Sequence, residues 1–295
     1  MINLLSKVQY KNYETGEFSQ AMERNFEDTI TLIENFPWQA EREKIVISLT
    51  NPSITIEGRN NDFLKLALYY NQKFVLYYFS NNRLYTRSFS QIKDGHEYIS
   101  GYFSSGSVDI AKFKKQPTWF QNNLKHFITQ HFNYFITPGS ARQFLFKTSG
   151  INFCLGLCFL VLILKSINAP HFVFMLLFLV PFMFIGGGGL HLIMFFQYYR
   201  ICKNKILKMS KGNDSFYFGE MENPEMYNKK DIFSYATIRN YNNRDMFQGF
   251  AIVEIEFKNG KVLKIPSLLI DYLELEHKLF EYSRITKNEL PFVTK

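Results

Sequence analysis

Apolar positions change their spacing several times along the chain, and each change marks a predicted element. Phe18, Met22, Phe26, Ile30 and Ile33 recur at helical spacing. That predicts an amphipathic helix capped by Ser19 and stopped at Pro37. The stretches 44–50, 53–57, 62–70, 73–79 and 83–89 then alternate β-branched and aromatic residues between short turns, the pattern of successive strands. Connections this brief favour antiparallel pairing, so a meander is expected. Ser90 can cap a helix carrying Ile92, Ile99 and Phe103. After Pro117, the residues Phe120, Leu124, Phe127, Ile128, His131 and Phe135 form one stripe of a longer predicted helix. That helix either lies among lipid headgroups, with Lys112, Lys114 and Lys115 just before it, or covers the sheet.

The pattern then changes in kind. Residues 148–164 and 166–199 contain no Asp, Glu, Lys or Arg, and a helix crossing a hydrocarbon core of ~30 Å needs about 20 apolar residues. The expectation is a transmembrane helical hairpin turning at residues 165–171. Arg142 and Lys147 precede it, Arg200, Lys203, Lys205, Lys208 and Lys211 follow it, and Lys165 alone marks the connector. The positive-inside bias then puts both flanking modules in the cytoplasm. Trp119, Phe120, Lys147, Arg200, Lys203 and Lys205 are the candidate membrane-interface residues. Ser149 and Gly150 would face Gly186 and Gly187 in the hairpin, small residues that allow close helix packing.

Beyond the hairpin, 206–209, 215–218, 231–241, 249–257 and 261–265 read as strands, and Asn259-Gly260 reads as a two-residue hairpin turn. Ala251, Val253, Ile255 and Phe257 share one face, and Leu263 and Ile265 continue it. Pro266-Ser267 opens a last helix with Leu269, Tyr272, Leu273, Leu279 and Phe280 inward. The fold class expected is an α+β membrane protein. It comprises an N-terminal antiparallel meander with flanking helices (1–140), the transmembrane hairpin (141–202) and a C-terminal partial β-barrel with a terminal helix (203–295).

The run from Ala251 to Ser267, with its terminal helix and the helical hairpin before it, resembles the pleckstrin-homology-like (PH-like) domains of bacterial membrane proteins. That resemblance implies a binding scaffold without a catalytic centre, and places the chain in a bacterial inner (cytoplasmic) membrane as a two-pass protein with both termini inside. The meander segments Ser53 to Gly58, Leu64 to Tyr70 and Phe74 to Tyr78 resemble small α+β immunity proteins, which neutralise a toxin from a neighbouring cell.

Composition adds mostly exclusions. The net charge of +8 in 295 residues is explained by the cationic collars, and anionic headgroups answer it more simply than nucleic acid. Residues 1–140 hold 15 basic and 13 acidic side chains, a balance of +2, which also argues against a phosphate-backbone surface. Ile2 to Leu5 is too short for a secretory signal. Cys154, Cys158 and Cys202 give no disulfide framework. His96, His126, His131, His171, His191 and His277 do not cluster, so no metal or cofactor is expected, and Gly186 to Gly189 lacks the Lys and Ser or Thr of a phosphate loop. Tyr69, Tyr77 and Tyr85 with Arg83 and Arg87 are the candidate partner-binding residues, since Tyr and Arg are enriched at interfaces; ordinary strand propensity explains the same tyrosines. The expected function is a non-enzymatic membrane-anchored binding protein of immunity type. The alternatives are a membrane-surface organiser or lipid-headgroup binder and, third, a lipid-modifying enzyme.

Overall fold

Seven strands in the first 115 residues hydrogen-bond in the order β2-β1-β3-β4-β5-β6-β7. They are β1 Leu4–Gln9, β2 Ser19–Arg24, β3 Ser53–Glu57, β4 Phe63–Leu68, β5 Phe74–Ser80, β6 Arg83–Phe89 and β7 Lys114–Lys115. The computed structural model describes residues 2–42, 48–117, 124–165, 189–240, 247 and 249–292. It divides the chain into one unit of Met1–His131 with Ser210–Gly212 and a second of Phe132–Met209 with Asn213–Lys295.

The first unit's sheet is buried on both faces. Leu64, Leu66, Leu76 and Tyr78 pack beneath helices α1 (Phe26–Asn35) and α2 (His96–Ser105) through Ile33, Ile99 and Tyr102. Phe63, Val75, Tyr77, Phe79 and Leu84 take the other face and pack with Leu49 and Phe127. Every residue of β4 is buried, so β4 is a near-continuous apolar run, as strands covered twice are. Asn71-Gln72 and Asn81-Asn82 all take positive φ, which matches two-residue turns to the twist of the strands they join.

Two helix expectations fail here for the same reason. The apolar spacing from Phe18 to Ile33 straddles a boundary: Ser19–Arg24 is an edge strand with Met22 56% exposed. Asn25, not Ser19, caps α1 by accepting from the Asp28 amide at 2.8 Å. Among the described residues of the helix expected after Pro117 stand a 3-10 turn at Leu124–His126, a buried Phe127, and a strand, β8, at Asn133–Phe135. Trp119 and Phe120 lie outside the described residues, as do 43–47 of the strand expected at 44–50.

The second unit has two four-stranded sheets. One runs β11-β10-β9-β8, with β9 Lys205–Lys208, β10 Ser215–Glu220 and β11 Pro224–Asn228. The other runs β14-β13-β12-β15, with β12 Ile232–Arg239, β13 Ile252–Phe257, β14 Val262–Pro266 and β15 Ser283–Asn288, the last parallel to β12. Leu207, Phe216, Ile255 and Ile265 meet in the core with Leu275 of a short helix at Tyr272–Lys278 and with Leu279 just beyond it. That helix begins at its cap Asp271 rather than at Ser267, and leaves Leu273 and Phe280 exposed. The β13–β14 turn holds Lys258, Asn259 and Gly260, with only Gly260 at positive φ, +80°. The Gly260 amide donates to the Phe257 carbonyl at 2.9 Å, so this is a three-residue loop and not the expected two-residue turn.

Helices α3 (Pro138–Lys165) and α4 (Gly189–Cys202) lie between β8 and β9, and the Tyr272–Lys278 helix is therefore α5. Among the described residues no helix is long and apolar enough to cross a membrane. This overturns the transmembrane hairpin, the membrane-protein fold class and the two-pass inner-membrane location. With 14 residues, α4 rises about 21 Å, short of the ~30 Å of a hydrocarbon core. One side of it serves the protein interior. His191, Met194, Phe195 and Tyr198 are buried in a second cluster with Ala141, Phe247, Phe250, Ile252 and Leu268, and Tyr198 donates to the Pro291 carbonyl at 2.8 Å. The expected hairpin turn at 166–171, and Gly186 and Gly187, lie outside the described residues, as does the side chain of Ser149. Among the described residues a side chain at Gly150 would meet only Phe146 of the same helix, at 3.7 Å.

Candidate functional site

In the second unit Glu254 and Glu276 are each held by neighbouring cations, whereas among the described residues Arg200 on α4 has no ion pair. Glu254 on β13 sits between Lys287 at 3.0 Å and Lys264 at 3.3 Å. Partial burial raises its pKa, but the two ammonium groups outweigh that and hold the carboxyl below its ordinary value. Glu276 accepts from Thr237 at 2.6 Å and pairs with Arg284 at 2.7 Å. Lys147 reaches Asp271 at 3.7 Å, and Lys205 lies 5.5 Å over the Phe218 ring. Two of the expected membrane-interface cations thus have partners within the protein.

Helix α4 presents two different faces. His191, Met194, Phe195 and Tyr198 point into the second cluster, while Cys202 is buried in the core with Leu207 and Phe216, where burial pushes its thiol up to about 12. Ile193, Phe196 and Tyr199 recur at three-residue spacing on the exposed side, Phe196 with 62% of its surface in water. Arg200 and Lys203 are exposed at the carboxy-terminal end of that side. Phe146 and Val161 on α3 are exposed as well. Apolar side chains grouped beside cations form an amphipathic surface that nothing in the described structure covers.

The span from β8 to the end of α5 is one unit of two sheets closed by a helix. Residues 133–278 match the PH domain family model. No curated protein and no solved structure gives a match. The second unit therefore contains a PH-like domain, and the matched span takes in α3 and α4 between its first two strands. A PH domain is a lipid- or protein-binding module. Among the described residues no three His, Cys, Asp or Glu side chains converge as metal ligands.

In the first unit the expected partner-binding residues separate. Tyr69 and Tyr77 share the sheet face that carries Phe127 and line a concavity of about 890 Å³. Arg87 borders it, although its guanidinium turns to the other face, where it donates to the Tyr98 hydroxyl and lies 4.5 Å over that ring. Tyr85 packs on the opposite core, and Arg83 is exposed at the start of β6. Burial raises the Tyr77 hydroxyl above its ordinary range, as does the neighbouring Tyr69. Lys112, Lys114, Thr86 and Gln116 complete the cavity wall. A Lys-Lys pair carries no strand signal, so sequence patterning alone misses the edge strand β7 that supplies Lys114.

Proposed function

We propose that the chain is a non-enzymatic binding protein whose PH-like domain docks on anionic lipid surfaces through the exposed side of α4. The observation that carries this reading is the Ile193, Phe196 and Tyr199 stripe ending at Arg200 and Lys203. Aromatic and aliphatic side chains enter the acyl boundary while cations stay at the phosphate level, each basic residue contributing ~1 kcal/mol near an anionic surface. Such binding is peripheral and needs no spanning helix. The immunity-type alternative rests on the resemblance of the first module alone.

Co-sedimentation of the full chain with vesicles tests the reading. Binding is expected to anionic phosphatidylglycerol-containing vesicles and to fall with salt. Phe196→Asp with Ile193→Asp should reduce it at least tenfold, and Arg200→Glu should weaken it less. Equal association with purely zwitterionic vesicles, or an unchanged double variant, would remove lipid docking and leave a protein partner as the ligand of the PH-like domain.

A further inference from the structure

The register of the first unit's sheet places one polar residue from each of six strands in a transverse row. Lys7 pairs with Thr55, Thr55 with Lys65, Lys65 with Tyr77, Tyr77 with Thr86, and Thr86 with Lys114. Side chains at paired positions point to the same face, so the row crosses the face that carries Phe63, Val75, Phe79 and Leu84. Its first half is closed. Lys7 reaches Glu57 and Thr129. Lys65, fully buried, donates to Gln9 Oε1 at 2.8 Å and to the Leu49 and His126 carbonyls at 2.5 and 3.3 Å. The second half, Tyr77, Thr86 and Lys114, opens into the 890 Å³ concavity.

The electrical character of that concavity is one-sided. Lys112 and Lys114 border it, Arg87 turning its guanidinium to the other face, and its described lining holds no Asp or Glu. Among the described residues no carboxylate pairs with Lys112 or Lys114, and both are exposed. Behind the wall, Lys65 donates to three neutral oxygens and, among the described residues, holds no carboxylate near the concavity. With Lys112 and Lys114 on its rim and no described carboxylate to offset them, the potential inside the concavity is positive. At its other end Tyr69 and Tyr70 stand with ring centroids 4.2 Å apart, and Tyr70 is 44% exposed. Thr86, Ser88 and Gln116 supply neutral hydrogen-bonding groups between the two ends. The volume falls in the range of small-molecule sites, ~300–1,000 Å³.

We propose that this concavity binds a small organic anion bearing a planar aromatic group, its acidic end at Lys112 and Lys114 and its ring against Tyr69 and Tyr70. The site lies in the first unit and is independent of lipid docking by the PH-like domain. Calorimetry on the full chain tests it with AMP and p-nitrophenyl phosphate as probes, and with adenosine and inorganic phosphate as probes that each lack one half. Both aromatic anions should saturate at one per chain, with adenosine and phosphate at least tenfold weaker. Lys112→Ala with Lys114→Ala should cost tenfold or more in affinity at unchanged Tm, both positions being exposed. Tyr70→Ala should cost severalfold. The proposal fails if neither aromatic anion gives saturable binding, if adenosine binds as well as AMP, or if the double lysine variant binds as the parent does. Should a vesicle or a protein occupy the concavity while the small probes do not, the assignment to a small anion is likewise overturned.

Discussion

One buried cation of the first unit and one buried acid of the second are compensated in opposite ways. In the first, Lys65 is enclosed completely and met by an amide oxygen and two backbone carbonyls, with Phe18 and Phe127 rings at 5.6 and 5.7 Å. Dipoles and ring faces compensate a buried cation only partly. Desolvation, with a further contribution from Lys7, drops its pKa to about 7. In the second, Glu276 is nearly as buried but meets a full countercharge in Arg284, which remains partly in water, and a hydroxyl from Thr237. A countercharge that stays hydrated lets a buried acid keep its charge at smaller cost. The contrast shows that accessible area alone does not set the cost of a buried ion; the kind of partner does.

The largest change expected is from Phe127→Ala. Phe127 stacks on Phe79 with centroids 5.4 Å apart, packs on Phe63 at 5.6 Å and is fully buried. Its loss should cost about 3–5 kcal/mol in urea denaturation and admit water to Lys65. A cost below about 1 kcal/mol would mean that this face is not a true core.

Next in size is the pH dependence from Lys65. Its folded value of about 7 lies below the ordinary lysine value of 10.5, so the unfolded chain holds the proton more tightly. The destabilisation is fully present below about pH 7 and disappears as pH rises towards 10.5, with a slope of roughly 1 kcal/mol per pH unit between. Lys65→Met should remove that slope, read as the difference in denaturation midpoint between parent and variant at each pH. Parallel profiles for the two proteins would mean that Lys65 stays charged throughout and that its dipolar partners compensate the charge in full.

The smallest effect belongs to the surface. Lys287→Ala removes one of the two cations flanking Glu254, and exposed pairs of this kind are worth ~0.5 kcal/mol. A loss above about 2 kcal/mol would place this pair among the buried, costly kind.

How much of this could be read beforehand depended on whether the deciding contacts were local. The bounds expected for β3 and β6, Ser53–Glu57 and Arg83–Phe89, recur unchanged in the structure, because alternation between polar turns is a property of neighbours. The pairing Asn259-Gly260 marked a hairpin correctly, although Gly260 alone supplies the positive φ. By contrast β1, β2, β7, β8, β11 and β15 escaped notice. Each is held by a strand distant in sequence or carries weak apolar alternation, as Ser19–Arg24 does. At the candidate site, Tyr69 and Tyr77 were identifiable as unusual surface residues, while Lys112 and Lys114 became relevant only when β7 brought them beside Thr86.

The sequence by itself determined β3 to β6 of the first unit, β9, β10, β12, β13 and β14 of the second, the PH-like pattern from Ala251 to Ser267, and the gathering of cations around the apolar stretches, since these follow from composition and spacing along the backbone. Only the tertiary structure decided which apolar surface faces the interior. Half of α4 is spent on Phe247, Phe250 and Leu268, and charge-free length counts that half as if it were free for lipid. It also decided that Lys65 lies inside the sheet's second face, because a side chain's solvent is chosen by residues far away in the chain, and hydropathy reads each residue as though water surrounded it.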